Sequence, residues 1–523
     1  MNVKYLINRA VTEYPDNVAV IYKNVRRTFR DLNTRTNRLA NGLLGLGIRK
    51  GDRIGILMRN CCKFIETDFA LSKTGIVRVP LNIRLTTRDH EYMLNDSGSN
   101  TLIFGEEFTE IVQAIKPNLK TVKEFICVSQ GFLKQNVLDA LDYENLIRSI
   151  PPDEPLGEIY EEDLHTLFYT SGTTGKPKGA MLTQKSWANV VINLILDYGP
   201  ITEEDVILNT QPLSHGAGFF VLPFFVKGAT NVLIPEFKPS IVFETIDREK
   251  VTVLKLVPSM LYQLMESPEK TRYDLSSLHS IIYGGSPIAV PRLIEAIQFF
   301  GKKLVQLYGQ AEAPMCISTL SKRDHIIEGP EDVVKRLSSA GKPCLNVEVR
   351  IVDENGKDVE TGEVGEVIVR GYHTMKGYWN LPEATAEVLR DGWVCTGDLG
   401  YFDSEGYIFL VDRRRDVIIS GAFNIYPKEI EDIIVTHPKV KEVAVIGVPD
   451  EKWGEAVKAV VVPKEGAQVT EQEIIDYCRD HMASFKKPKT VDFVKELPRN
   501  PYGKVPKTVL REPYWKGFDR RIH

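Results

Sequence analysis

The run Tyr169-Thr170-Ser171-Gly172-Thr173-Thr174-Gly175-Lys176-Pro177-Lys178-Gly179 concentrates glycines, hydroxyls and lysines in eleven residues. Glycines at 172, 175 and 179 let the backbone approach an anion closely, Ser171, Thr173 and Thr174 supply donors, and Lys176 and Lys178 supply charge. The chemistry that suits this set is the cradling of a polyphosphate. The run is not a G-x-x-x-x-G-K-[ST] loop, because Pro177 follows Lys176 and the spacing to a first glycine is not met. The bland alternative is a flexible surface loop.

Further stretches carry side chains able to act on a ligand, and each has a structural reading when taken alone. His215, in Gln211-Pro212-Leu213-Ser214-His215-Gly216, follows an apolar strand and suits a buried hydrogen-bonding residue. Tyr283-Gly284-Gly285-Ser286-Pro287 is a glycine turn of a common kind. Leu307-Tyr308-Gly309-Gln310-Ala311-Glu312 and Trp393-Val394-Cys395-Thr396-Gly397-Asp398 each end on a carboxylate, Arg413 and Arg415 fall in a charged linker, and Lys504 stands near the C-terminus where lysines are mostly solvated.

The elements that must position these groups follow from the hydrophobic pattern. Alternation at 18–22 and 25–29 predicts a hairpin, and Thr28 with Asp31 three residues on opens an amphipathic helix that closes near Gly45 and Gly47. Apolar runs at 52–58, 77–81, 206–211, 229–234, 251–257, 280–283 and 303–307, with helical patterns such as 64–74 and 291–300 between them, predict doubly wound α/β architecture with parallel sheets. The phosphate-type run is expected between the strand ending at Leu167-Phe168-Tyr169 and a helix capped by Thr183. From 347 to 371 the pattern turns antiparallel, which predicts a small β-barrel closing a large N-terminal domain. A small mobile α+β C-terminal domain follows, so the division is 1–412, a hinge at 413–416, and 417–523.

At 523 residues one core is not enough, and 43 % hydrophobic with 26 % charged residues is ordinary for a soluble globular protein. A net charge of −4 gives no electrostatic case for a nucleic-acid partner. The seven cysteines are scattered without C-x-x-C pairing and suit reduced thiols. Residues 1–17 lack a signal-peptide h-region, 519–523 carry no peroxisomal or prenylation signal, and the longest apolar run, 219–226, is too short to span a bilayer. The expected location is cytoplasmic.

Taken in order, the motifs resemble those of the adenylate-forming superfamily, which includes acyl-CoA synthetases, aryl-CoA ligases, luciferase and peptide-synthetase adenylation domains. The resemblance spans essentially the whole chain. It implies ATP, Mg2+ and CoA as cofactors, with Thr170, Ser171, Gly172, Thr173, Thr174 and Lys178 on the phosphates. It also implies Gly284, Gly285, Ser286, Tyr308, Gly309, Gln310 and Ala311 around adenine and the acyl pocket, and Asp398 and Arg413 on the ribose, where a carboxylate offers a diol two acceptors. Glu312, with Thr174, is implied to hold magnesium, His215 to gate the acyl pocket, Lys504 to bridge the acyl carboxylate and the α-phosphate, Arg415 to be the hinge, and Gly421 to line the pantetheine tunnel after rotation. The chain departs from the family at Ala311, where a threonine is usual and its hydroxyl contacts the α-phosphate.

The implied activity is ATP-dependent acyl-CoA ligation through acyl-AMP. Peptide-synthetase domains usually carry an Asp near the pocket motif, whereas only small and apolar residues surround His215 in the sequence, which favours an acid without an amino group. The run Gly216-Ala217-Gly218-Phe219-Phe220 suits a hydrophobic pocket for a fatty or aryl acid, or else a buried helix. Two alternatives stand beside this: a stand-alone enzyme loading an acyl carrier protein, and a non-catalytic nucleotide-binding relative. The expected partners are a small-molecule carboxylic acid, ATP and CoA; a homodimer is compatible with the sequence.

Overall fold

The computed structural model describes residues 1–129, 137–170, 176–421, 423–500 and 504–516. Two large sheets organise the first four hundred residues. In the first, strands Leu304–Tyr308, Ser280–Gly284, Val253–Leu256, Val206–Asn209, Thr230–Leu233 and Val18–Tyr22 run parallel in that spatial order. Antiparallel strands flank this parallel set, Val25–Thr28 on one side and Ser318–Leu320 followed by Lys342–Pro343 on the other. In the second, Glu124–Val128, Thr101–Gly105, Arg53–Leu57, Val77–Pro80 and Leu164–Thr170 are parallel neighbours.

Between the sheets lies one continuous core, to which helices Phe29–Gly45, Cys62–Thr74, Gln184–Tyr198 and Gly218–Phe225 contribute. Its centre is aromatic: Phe29 stacks on Phe225 at 4.3 Å and Trp187 on Phe219 at 4.5 Å. Helices Pro239–Glu249, Pro258–Glu266 and Val290–Phe300 cover the outer face of the first sheet, and Thr87–Ser97 and Thr109–Ile115 that of the second. Helices on both faces of two mostly parallel sheets are the doubly wound arrangement that the alternating pattern predicts. The predicted capping box is present: Thr28 Oγ1 accepts from Asp31 N at 3.1 Å, and the Asp31 carboxylate accepts from Thr28 N.

The antiparallel region is a five-stranded sheet curled as a half-barrel, built from Glu348–Val352, Gly365–Arg370, Leu389–Arg390, Trp393–Phe402 and Ile408–Arg413. After it comes a further sheet of Ile418–Ser420, Phe423–Ile425, Val440–Asp450, Gly454–Pro463 and Thr490–Phe493, with helices Pro427–Ile434 and Glu471–His481 over its own core. All seven cysteines are free thiols, five of them buried, with Cys61 and Cys395 half-buried. No helix among the described residues is long and apolar enough to cross a membrane.

One expectation is corrected. The phosphate-type run does not lie between a strand and a helix. Strand Leu164–Thr170 turns back antiparallel into Lys178–Thr183, with Thr170 opposite Lys178 and Tyr169 opposite Gly179, so the run is the connection of a hairpin. Pairing with Leu164–Thr170 on one side and with the 376–379 segment on the other makes Lys178–Thr183 a strand, and only then does Thr183 cap helix Gln184–Tyr198.

Candidate active site

A cavity of about 930 Å³ opens where both large sheets, the half-barrel and the C-terminal unit meet. Strand ends build most of its walls. Thr170 and Lys178 line it from the hairpin, Gly284 and Gly285 from the turn after Ser280–Gly284, and Gly309, Gln310, Ala311 and Glu312 from the turn after Leu304–Tyr308. His215 enters from the loop after Val206–Asn209, Arg413 and Arg415 from the linker, and Lys504 from the C-terminal unit. Ligands of open α/β sheets bind outside the carboxyl ends of the strands, and this cavity occupies that place. Ser171, Gly172, Thr173 and Thr174, the last also expected as a metal ligand, lie outside the described residues.

Four expected residues are not on the cavity wall. Tyr308 and Asp398 sit just behind it. The Tyr308 hydroxyl donates to Asp398 Oδ2 at 2.6 Å, and Arg413 Nε pairs with Asp398 Oδ1 at 3.1 Å. Both carboxylate oxygens are therefore engaged, and a diol arriving here must share them. Ser286 is exposed on the turn. Gly421 is exposed in the C-terminal unit, donating its N–H to the Trp453 carbonyl at 2.7 Å.

Glycine is required at two wall positions for reasons of packing. A Cβ at Gly284 would lie 2.3 Å from the Leu307 carbonyl oxygen, and Gly285 holds φ +86°. The two strands whose turns carry the nucleotide-type motifs thus approach more closely than a side chain would allow.

Glu312 is oriented by Tyr378, whose hydroxyl donates to Oε1 at 2.6 Å; Oε2 has no hydrogen-bond partner among the described residues. Lys178 Nζ lies 5.2 Å from the centre of the Tyr378 ring. A main-chain strap registers these groups. Met181 N donates to Gly377 O at 2.9 Å, Lys376 N to Met181 O at 2.8 Å and Trp379 N to Gly179 O at 2.8 Å, with Ala180 bridged to Tyr378.

Lys504 is held by a short clasp. Its N–H donates to Asn500 Oδ1 at 2.9 Å, and its carbonyl accepts from Asn500 N at 2.9 Å. The side chain keeps contact with solvent in the open cavity while protein surrounds it. Loss of water and then Arg413 pull its ammonium down to about 8, Asp398 and Glu312 pull it up, and Arg415 adds a smaller lowering. His215 packs against Phe168, ring centres 5.7 Å apart and nearly parallel. Burial, together with Lys504, Lys255 and Arg84, lowers it to about 3 and keeps it neutral.

Sequence reasoning missed Tyr378 and Lys255. Nothing local marks Tyr378, since only the strap brings it to Glu312. Lys255 does have a signal, a single cation inside Val253-Leu254-Lys255-Leu256-Val257, where a strand buried on both faces reads as a continuous apolar run. It lines the cavity beside His215 and Phe220, so the pocket is not confined to small and apolar groups.

No group of three or more His, Cys, Asp or Glu able to hold a metal occurs among the described residues. Glu312, with an oxygen that no described residue partners and on the cavity wall, fits a magnesium ion that takes most of its shell from phosphates and water.

The chain matches the AMP-binding enzyme family over residues 7–379 and the AMP-binding enzyme C-terminal domain over residues 429–504. It is 39 % identical over 502 residues to a feruloyl-CoA synthase of Amycolatopsis sp, covering 96 % of each protein. It is 35 % identical to the medium/long-chain-fatty-acid–CoA ligase FadD8 of Mycobacterium tuberculosis, covering 99 % of this chain and 91 % of that one. Among solved structures it superposes on the amide bond synthetase McbA of Marinactinospora thermotolerans with a TM-score of 0.89, at 32 % identity and over 98 % of this chain and 99 % of that one. The chain belongs to the AMP-binding enzyme family, within the adenylate-forming superfamily, and is an enzyme of the AMP-forming acid–thiol ligase class.

Proposed function

We propose that the enzyme joins a hydrophobic carboxylic acid, fatty or aryl, to CoA in two steps. The observation that carries this reading is the presence of Lys504, from the C-terminal unit, in the same cavity as Glu312, Arg413 and His215. In the first step a carboxylate oxygen of the acid attacks the α-phosphorus of ATP and pyrophosphate leaves, giving acyl-AMP. Lys504 donates to the acid carboxylate and the α-phosphate as charge gathers between them, Lys178 takes the phosphate tail, and Arg413 with Asp398 takes the ribose. Neutral His215 shapes the acyl side without adding charge. Glu312 would hold magnesium, which neutralises phosphate charge when bound.

In the second step 417–523 rotates on a hinge at 413–416 relative to 1–412, withdrawing Lys504. The CoA thiol, losing its proton to solvent, then attacks the acyl carbonyl, and AMP leaves. The exposed position of Gly421, off the cavity while Lys504 occupies it, supports an exchange of faces between the steps.

The test is pyrophosphate release and thioester formation over fatty acids of several lengths and over benzoate- and cinnamate-type acids, with and without CoA. Acid-dependent pyrophosphate release with CoA-dependent thioester is the expected result. Thioester formed only on a carrier protein, or no release with any acid, would overturn the reading.

Ala311 supplies a second expected result. It lines the cavity, and the resemblance puts a threonine hydroxyl at this position on the α-phosphate. A hydrogen bond to a charged group contributes about 1.5–3 kcal/mol. Made in the transition state, it accelerates by about ten- to a hundredfold. Ala311→Thr should raise the pyrophosphate-release rate within that range; an unchanged rate would remove the proposed contact.

A further inference from the structure

Among the described residues three lysines are buried, Lys73, Lys255 and Lys458, and their surroundings differ in kind: Lys458 pairs with the Asp492 carboxylate at 2.7 Å. Lys73 Nζ is fully inside the core and donates to three acceptors, Asn33 Oδ1 at 2.7 Å, Asn37 Oδ1 at 2.8 Å and Glu154 Oε2 at 2.7 Å. All three of its protons and its charge are satisfied, as a structural cation requires. Lys255 is 5 % exposed, yet its Nζ has one neutral acceptor, Gln211 Oε1 at 2.7 Å, and no carboxylate pairs with it among the described residues. Its other neighbour is the face of Phe220, 5.7 Å from the ring centre.

The position of Lys255 is as telling as its lack of partners. It lies on the cavity wall at the middle of a parallel sheet, over the His215-Gly216 turn, where a Cβ on Gly216 would come 3.9 Å from Nζ. Lys255 thus shares its stretch of cavity wall with His215, Gly216 and Phe220, the groups assigned above to the acyl side. Burial alone pulls its ammonium down to about 7, the state of a cation still lacking an anion.

We propose that Lys255, with Gln211, is a specificity-determining receptor for an oxygen acceptor at the far end of the acid, so that the enzyme selects acids whose apolar body ends in a phenolic oxygen or a second carboxylate. This rests on the adenylation reading above and names its substrate class. A substrate with a plain hydrocarbon end would leave a buried ammonium with unmet donors, and a site built to hydrogen-bond such an oxygen rejects the analogue lacking it far more strongly than an apolar pocket rejects a missing methylene.

The experiment compares cinnamate, 4-hydroxycinnamate and 4-carboxycinnamate, and octanoate with octanedioate, in wild type, Lys255→Met and Lys255→Arg. Acid-dependent ATP–pyrophosphate exchange is read beside calorimetric binding of each acid to the free enzyme. Expected for wild type is a preference of at least tenfold in kcat/KM and in binding for the oxygen-bearing member of a pair. The phenol and carboxylate arms identify which oxygen is used. Lys255→Met should erase or invert that preference while improving the plain acid, and Lys255→Arg should keep it. Equal treatment of the paired acids by wild type, or a uniform loss across all acids in Lys255→Met, overturns the assignment. Exchange that is absent with every acid while binding still discriminates them in a Lys255-dependent way would overturn adenylation and leave the receptor standing; absence of both removes both.

Discussion

Lys504→Ala should lower acid-dependent pyrophosphate release by a hundredfold or more while leaving conversion of supplied acyl-AMP and CoA to thioester within a few-fold of wild type. The asymmetry follows from where charge develops. In the first step negative charge gathers between the entering carboxylate and the α-phosphate, and a fixed donor aimed there typically contributes two to three orders of magnitude. On the proposed rotation the same lysine is withdrawn before the second step. The side chain acts as an ammonium that partial loss of water and Arg413 have lowered to about 8. Its protonated form is lost as pH rises, so kcat/KM for adenylation should fall through about pH 8, and Lys504→Arg should move that fall to higher pH. A loss below tenfold in Lys504→Ala, or equal losses in both half-reactions, would remove the lysine from the first step.

Arg415→Pro is expected to do the reverse: pyrophosphate release stays within several-fold of wild type and thioester formation falls by about a hundredfold. Arg415 lies in the single 3-10 turn Arg414–Asp416, between the half-barrel and the C-terminal sheet. Its carbonyl accepts from Arg511 Nη1 at 3.3 Å, and Arg511 also pairs with buried Asp416 at 2.6 Å, so the turn is tied to the C-terminal unit. Proline fixes φ near −65°, within the range of a 3-10 turn. The substitution therefore keeps the carbonyl but forbids the change of φ that the proposed rotation needs. Stopped-flow separation of the two half-reactions checks this, and parallel loss of both would sink the hinge.

The alternating α/β pattern was legible because parallel strands buried on two faces read as apolar runs bounded by turn residues. The hairpin at 18–29 and the Thr28–Asp31 cap were legible because their signals are local. The placement of the phosphate-type run was not. Its second strand, Lys178–Thr183, has partners that lie partly at 376–379, some two hundred residues downstream. The site divides in the same way. Motifs at strand ends reached the cavity wall, as Gly284, Glu312 and His215 did. Asp398 and Tyr308 stepped behind it because they satisfy each other first. Lys255 was not legible from the residues around His215, because the neighbouring parallel strand Val253–Leu256 brings it there from some forty residues away.

The strap at 376–379 bears on which changes this region tolerates. Its contacts with Lys178–Thr183 are main-chain to main-chain, so they are indifferent to most side chains. Pairing of this kind has a period of two residues, and a slip of one turns every side chain to the opposite side. Insertion or deletion of a single residue between Thr374 and Tyr378 would swing the phenol away from Glu312 and present a neighbour in its stead. Replacements in the strap are limited at Gly377, which holds φ +145° with no room for a Cβ beside Thr385, and at Tyr378, whose hydroxyl reaches Glu312; its length is fixed by the need to keep that phenol between a lysine and a carboxylate.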